Sequence, residues 1–223
     1  CREKLAGNEM EIRQNLEVTE VTEPNRLALD ALSRGANAIG FCVHGKDVLS
    51  QADFDALLDG IVLHAADVFI TGAGCKSPKY VEMFAKRVKD QKLNPEHVMG
   101  GVEFDPIRRL TLKGSFCVGL EEDIAELRKA VVASNEMSWF WPITVSGYIF
   151  HNAGASIVQE LAFSLAIGNE YMARLTDSGL NADQVAKKMM FSFAVSSNYF
   201  MEMAKFRAAR LLWANIVHAY DAK

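Results

Sequence analysis

The stretch Val145-Ser146-Gly147-Tyr148-Ile149-Phe150-His151-Asn152-Ala153-Gly154-Ala155 decides how this chain is read. It closes an apolar run that begins at Trp139 and opens onto a long amphipathic segment. A buried strand therefore ends in a short, polar, glycine-bearing turn. In α/β proteins ligands are handled at such places, because backbone and polar groups converge at the carboxyl ends of strands.

Working outward, strand and helix patterns alternate along most of the chain. Thr22 is predicted to cap a helix with Pro24 in its first turn and Gly35 at its end. Strands are predicted at residues 38–43, 67–71, 97–104 and 143–148, a weak one at 115–119 and a further one at 189–195. Helical spacing covers residues 53–58, 78–91 and 121–134. Ser156 is placed to cap a helix running to about Thr176, and a last helix covers residues 198–220.

Apolar strands joined by crossover helices imply a parallel sheet covered on both faces. Two architectures satisfy this pattern, an open doubly wound sheet and a (β/α)8 barrel. The first strand–helix junction, Val43-His44-Gly45-Lys46-Asp47, has neither a G-x-G-x-x-G nor a Walker A pattern, which removes the best evidence for a dinucleotide-binding sheet.

Composition narrows the function classes. With glycine counted in place of tyrosine the apolar share is roughly 55%, above the ~45–50% norm, so a subunit interface is expected. The net charge is −4, and without a basic cluster nucleic-acid binding is not expected. No apolar run has the ~18 residues that span a bilayer, and Arg2, Glu3 and Lys4 do not open a signal peptide. Cys1, Cys42, Cys75 and Cys117 are too far apart for a C-x-x-C motif and read as four unpaired thiols of a cytoplasmic protein. No histidine, cysteine or carboxylate pair has a metal-ligand spacing such as H-x-x-x-H, so no metal is expected.

The segment Ser146-Gly147-Tyr148 resembles the active-site strand of the methylmalonyl-CoA mutase family, whose catalytic chain reads S-G-Y-H-M-Q-E-A-G-A. The resemblance extends through Glu160-Leu161-Ala162, Gly168-x-Glu170-Tyr171 and the long run from Phe200 to Ala214. It is weaker at Ile12-Arg13-Gln14, similar to T-I-R-Q-Y-A-G, and at Leu57-Leu58-Asp59-Gly60-Ile61. It implies a (β/α)8 TIM-barrel fold. About six βα units are counted where a closed barrel has eight, so the barrel is expected to be incomplete. Residues 1–22 would precede it and residues 23–223 would form it. The chain is then expected to be a piece of a longer subunit, with the strand at 189–195 at a sheet edge.

Departures from the family pattern carry the functional expectation. The family's catalytic tyrosine falls on Asn15 and its catalytic histidine on Ile149. In the family these two side chains flank the substrate thioester. Isoleucine has no donor, acceptor or proton, and losing a positioned proton donor costs typically ~10²–10⁴ in rate. The cobalt-presenting D-x-H-x-x-G pattern does not occur, and no cobalamin-binding domain is expected after Lys223.

The resemblance thus implies the non-catalytic small subunit of a heterodimeric isomerase. It would bind no cofactor itself and would pair with a large subunit that carries adenosylcobalamin. Arg13, Gln14, Tyr148, His151 and Asn152 form the candidate residual pocket. Each has a plainer reading. Arg13 is an exposed arginine, His151 a turn histidine bonded to backbone, and Ile149 with Phe150 fills the barrel interior. Arg207 and Arg210 with Glu202 read as a solvated or interface ion-pair face. The alternatives are an active acyl-CoA isomerase using His151 and a partner-independent acyl-CoA-binding barrel.

Overall fold

The computed structural model describes residues 10–44 and 48–221. Cys1, Arg2, Glu3, Lys4, Lys223 and the Gly45-Lys46-Asp47 part of the first strand–helix junction lie outside the described residues. Seven strands and nine α-helices are described. The strands are β1 (Arg13–Glu17), β2 (Ala38–Cys42), β3 (Asp67–Thr71), β4 (Met99–Val102), β5 (Trp139–Trp141), β6 (Ile143–Ser146) and β7 (Met189–Ser192). The helices are α1 (Thr22–Ser33), α2 (Gln51–Leu57), α3 (Ser77–Asp90), α4 (Pro106–Lys113), α5 (Leu120–Ala133), α6 (Tyr148–Asn152), α7 (Ile157–Asp177), α8 (Ala182–Lys187) and α9 (Tyr199–His218).

The chain divides into two compact units, residues 1–104 with 132–142, and residues 105–131 with 143–223. In the first, β1 to β5 form a parallel sheet in chain order. Its strands are apolar on both faces where helices cover them, as in β2 and β3. Phe54 of α2 sits edge-on to Phe84 of α3, and Phe84 sits edge-on to Phe140 of β5. All three rings are fully buried and anchor the core of this unit. At Gly100 in β4, φ is +146° and an added Cβ would lie 1.9 Å from the Val68 carbonyl oxygen, so only glycine lets β4 close on β3.

In the second unit β6 and β7 pair in parallel, with α7 and α9 against each other. Leu161, Leu165 and Ala209 form the buried seam, with Phe191, Phe193 and Trp213 packed on it. Ser156 and Gln159 close a reciprocal capping box at the start of α7, as the sequence predicts for Ser156. Both sheets are open among the described residues, which fits an incomplete (β/α) barrel rather than a closed one. As expected, β7 is an edge, pairing with β6 alone.

Several sequence expectations are corrected. The weak strand at 115–119 does not form, because Cys117 and Val118 give their N–H groups to the Asp123 carboxylate instead of a ladder. The apolar run from Trp139 is two short strands, divided at Pro142, which has no N–H to continue pairing. The strand at 143–148 ends at Ser146, and the one at 189–195 ends at Ser192, since the Ala194 N–H and C=O are taken by Glu160 and Lys205. Thr22 is the first residue of α1 rather than its cap, and the Glu20 carboxylate accepts from Glu23 N–H instead. His97 lies in a single 3₁₀ turn before β4. Cys75 and Cys117 are disulfide-bonded, and Cys42 is the free thiol among the described residues, so the four cysteines are not all unpaired. No helix of the described residues is long and apolar enough to cross a membrane.

Candidate functional site

The candidate residues fall into both units, and each set is described within its own. In the first unit Arg13, Gln14 and Asn15 lie in β1. The Arg13 guanidinium sits 5.0 Å from the centre of the Phe69 ring, a cation–π contact that needs no ligand. Gln14 donates to the Asn15 carbonyl. Asn15 faces its register partner Gly40 so closely that a Cβ there would stand 2.1 Å from Asn15 Oδ1. The amide thus occupies space that glycine leaves open.

In the second unit the turn after β6 begins with Gly147. An added Cβ would lie 2.2 Å from Ser164 Oγ and 3.1 Å from the Phe193 ring, so this turn packs directly against α7 and the segment after β7. The chain then coils into α6 instead of prolonging the strand. Tyr148 carries the Arg108 guanidinium 5.6 Å from its ring centre. Ile149 is buried, at 7% exposure, and does not present a polar atom. Asn152 ends α6 and is exposed.

His151 is the candidate whose surroundings the sequence misjudged. Its Nδ1 is buried without a hydrogen-bond partner and points toward Glu160, 3.9 Å from Oε2. That nitrogen is not bonded to nearby backbone. Glu160 is fully buried and is the centre of an ionic cluster. One carboxylate oxygen accepts the Ala194 N–H at 2.8 Å and the other accepts from Lys205 Nζ at 2.9 Å. Lys205, on α9, also donates to the Ala194 carbonyl and lies 2.6 Å from Glu202 Oε2. Glu202 in turn accepts from the Ser196 hydroxyl and N–H. Burial alone would raise the Glu202 carboxyl, but hydrogen bonds from Lys205 and Ser196 outweigh it and hold its pKa at about 2. This corrects the expected solvated pairing of Glu202 with Arg207 and Arg210: its partner is Lys205, one helical turn along and buried.

A second polar anchor holds the end of β6. Asp105 caps α4 by accepting from Arg108 N–H, and its other oxygen accepts from Ser146 N–H at 2.8 Å. Tyr171 of α7 donates to Asp105 at 2.6 Å and accepts from Ile107 N–H. Burial raises the Asp105 carboxyl above its ordinary range, against the pull of these donors. Burial and the adjacent carboxylate push the Tyr171 hydroxyl well above 10. The end of the predicted strand at 104 is legible in the sequence, but the reach of Asp105 to Ser146 and Tyr171, 41 and 66 residues away, is not.

Chemically, the turn offers buried structural polar groups and an isoleucine that carries no donor, acceptor or proton. A cavity of about 580 Å³ in the first unit, among Asn25, Asp55, Asp59, Arg87 and Asp90, is no better a site. Its Arg87 is already bound to Asp55 and to the Leu58 carbonyl, which leaves Asp59 and Asp90 as the other charged groups in the lining.

Comparison with known proteins now decides the family. The family model described as methylmalonyl-CoA mutase matches residues 23–223. The chain belongs to the methylmalonyl-CoA mutase family. It is 35% identical to the methylmalonyl-CoA mutase small subunit of Porphyromonas gingivalis over 96% of its own length and 34% of that protein. It is 34% identical to a methylmalonyl-CoA mutase of Rhizobium meliloti over 79% of its length and 25% of that protein. The large subunit from Porphyromonas gingivalis is 32% identical over 80% of the chain and 25% of its own length. The chain therefore spans about a third of the mutase small subunit and a quarter of these other mutases. Mutases are isomerases, and that is the enzyme class of this family.

Proposed function

We propose that this chain is part of a non-catalytic small subunit that pairs with a large subunit in a heterodimeric, adenosylcobalamin-dependent methylmalonyl-CoA mutase. The observation that carries this reading is Ile149, a buried apolar side chain in α6 where the family places its catalytic histidine. Asn15, at the tyrosine position, is turned onto Gly40. The likeness to a small subunit over nearly the whole chain supports the same reading. So do Tyr199, Phe200 and Leu211, apolar side chains exposed on α9, which suit a segment working inside a larger assembly.

Adenosylcobalamin would supply radical chemistry in the large subunit. The residues described here do not fit its site: the two family positions flanking the substrate offer an amide packed on glycine and an isoleucine. His151 directs Nδ1 inward at Glu160. What this chain's own residues do is hold the β6 turn rigid, through Asp105 on one side and Glu160 on the other.

The test is co-expression of the full-length small subunit with a mutase large subunit. The expected result is a co-purifying heterodimer that interconverts methylmalonyl-CoA and succinyl-CoA, while the small subunit alone, with added adenosylcobalamin, does not. Turnover by the small subunit alone that vanishes in His151→Ala would overturn the proposal in favour of an active isomerase.

A further inference from the structure

We propose that Glu17, Cys42 and His44 form a binding site for a borderline divalent cation of the zinc type at the carboxyl edge of the five-stranded sheet. Strand register builds the site. Glu17, the last residue of β1, is paired with Cys42, the last of β2, and Cys42 is paired with Thr71, the last of β3. Register partners in parallel strands project to the same face, and His44, two residues after Cys42, returns to that face by the alternation of extended chain. Backbone bonds from Val18 N–H to the Cys42 carbonyl and from Val43 N–H to the Thr71 carbonyl fix the strand ends around the cluster.

The outcome is one carboxylate, one thiol and one imidazole whose ligand atoms all lie within 4.8 Å of one another. His44 Nε2 is already 3.2 Å from Glu17 Oε2. A tetrahedral zinc would hold such atoms roughly 3.3–3.8 Å apart, given Zn–N and Zn–O near 2.0–2.2 Å and Zn–S near 2.3 Å. Glu17 and His44 are 65% and 68% exposed, so both side chains are free to close the remaining gap. The mixed sulfur, nitrogen and oxygen set favours zinc-like ions over magnesium or calcium, which prefer oxygen alone.

Two further contacts suit a ligand set. The Thr71 hydroxyl donates to Cys42 Sγ at 3.0 Å, the outer-shell hydrogen bond that orients and stabilises a thiolate. The His44 ring lies over Gly72, where an added Cβ would stand 3.0 Å from Nδ1, so glycine makes room for the imidazole. Cys42 is free rather than disulfide-bonded. On binding, the thiol loses its proton to the buffer and the sulfur donates an electron pair to the cation, with no change of oxidation state. Three protein ligands leave a fourth position open to water or another donor. The site stands apart from the mutase reading, since its ligands are neither Asn15 nor Ile149.

The test titrates the metal-free protein, its disulfide left intact, with Zn²⁺ against a chromophoric chelator, and with Co²⁺ followed by absorption. The expected result is one equivalent bound, with a sulfur-to-cobalt charge-transfer band in the near ultraviolet. Cys42→Ser should remove that band, and His44→Ala should abolish one-equivalent binding. Thr71→Val should weaken binding about 10–100-fold, as loss of an outer-shell partner does. Thermal unfolding in chelator should match wild type for Glu17→Gln and His44→Ala, which alter exposed side chains, so lost binding is not lost fold. Absence of binding, or binding and a sulfur band unchanged in Cys42→Ser and His44→Ala, overturns the proposal.

Discussion

The two units of this chain solve burial differently. In the first, β1 to β5 are held by backbone ladders over a core of aromatic and aliphatic side chains, with Phe54, Phe84 and Phe140 in contact. In the second, the inner ends of α7 and α9 bury Glu160, Glu202 and Lys205 at 4% exposure or less, and Asp105 is tied to Tyr171. Loss in an apolar core leaves a cavity but strands no charge. Loss in a buried ionic cluster does strand charge, because removing one member leaves the others desolvated and uncompensated. The second unit therefore depends on charge balance, and that dependence sits under the turn that follows β6.

The sharpest way to break this contrast is Lys205→Ala beside Phe84→Ala. Removing Lys205 leaves two buried carboxylates without their cation and should cost about 3–5 kcal/mol. Removing the Phe84 ring should cost a similar ~3–5 kcal/mol through the cavity it leaves. The two separate on pH: the Lys205 penalty should shrink in acid as Glu202 takes up a proton, while the Phe84 penalty stays flat. Urea unfolding of both variants at neutral and acid pH measures this, and parallel behaviour would mean the cluster is not acting through charge.

Gly147→Ala tests how tightly the turn is held. Its Cβ would stand 2.2 Å from Ser164 Oγ, which now donates to the Glu160 carbonyl, so the hydroxyl must abandon that bond or the turn must shift. Overpacking of this kind should cost about 1–3 kcal/mol, read as a lowered urea midpoint. Tyr171→Phe removes the hydroxyl that donates to Asp105 and accepts from Ile107 N–H, and should cost about 1–3 kcal/mol through the partners it strands. A smaller effect than Gly147→Ala is expected if the Asp105 carboxyl, already raised by burial, takes a proton when its tyrosine partner is lost.

The smallest effect is in the pH profile. Burial lowers the Lys188 ammonium to about 8. The folded state then binds fewer protons than the unfolded state between about 8 and 10.5, so this group should make stability rise with pH across that window. Glu202 acts at the other end. Its folded value of about 2 lies below the ordinary 4.5, so its contribution is complete above 4.5 and is lost as pH falls through 2. Unfolding free energies in Lys188→Met and Glu202→Gln should lack the corresponding slopes.

Much of the fold was legible in the residues. β3 is where its apolar run lies, and α3, α5, α7 and α9 fall within about a residue or two of their periodic patterns. β1 was not recognised as a strand, because Arg13-Gln14-Asn15-Leu16-Glu17 has no apolar alternation and is a strand only through its backbone pairing with β2. α4 and α8 were also missed, being too short to show a helical period. Of the candidate site, Ile149 could be found by likeness to the mutases. The ionic cluster that His151 faces could not, since Glu160 and Lys205 are 45 residues apart and meet only when α7 packs on α9.

By itself, the sequence determined the alternation of strands and helices and the likeness to the mutase family. These are properties of local order, and local order is written in periodicity, caps and residue identity. Tertiary structure alone decided the rest. It made Glu202 and Lys205 an interior pair rather than a surface one, bound Asp105 to Tyr171, and set Glu17, Cys42 and His44 on one face of a sheet edge. The physical reason is that a side chain's charge state and partners depend on what excludes water from it, and that is fixed by strand register and helix contact between residues far apart in the chain.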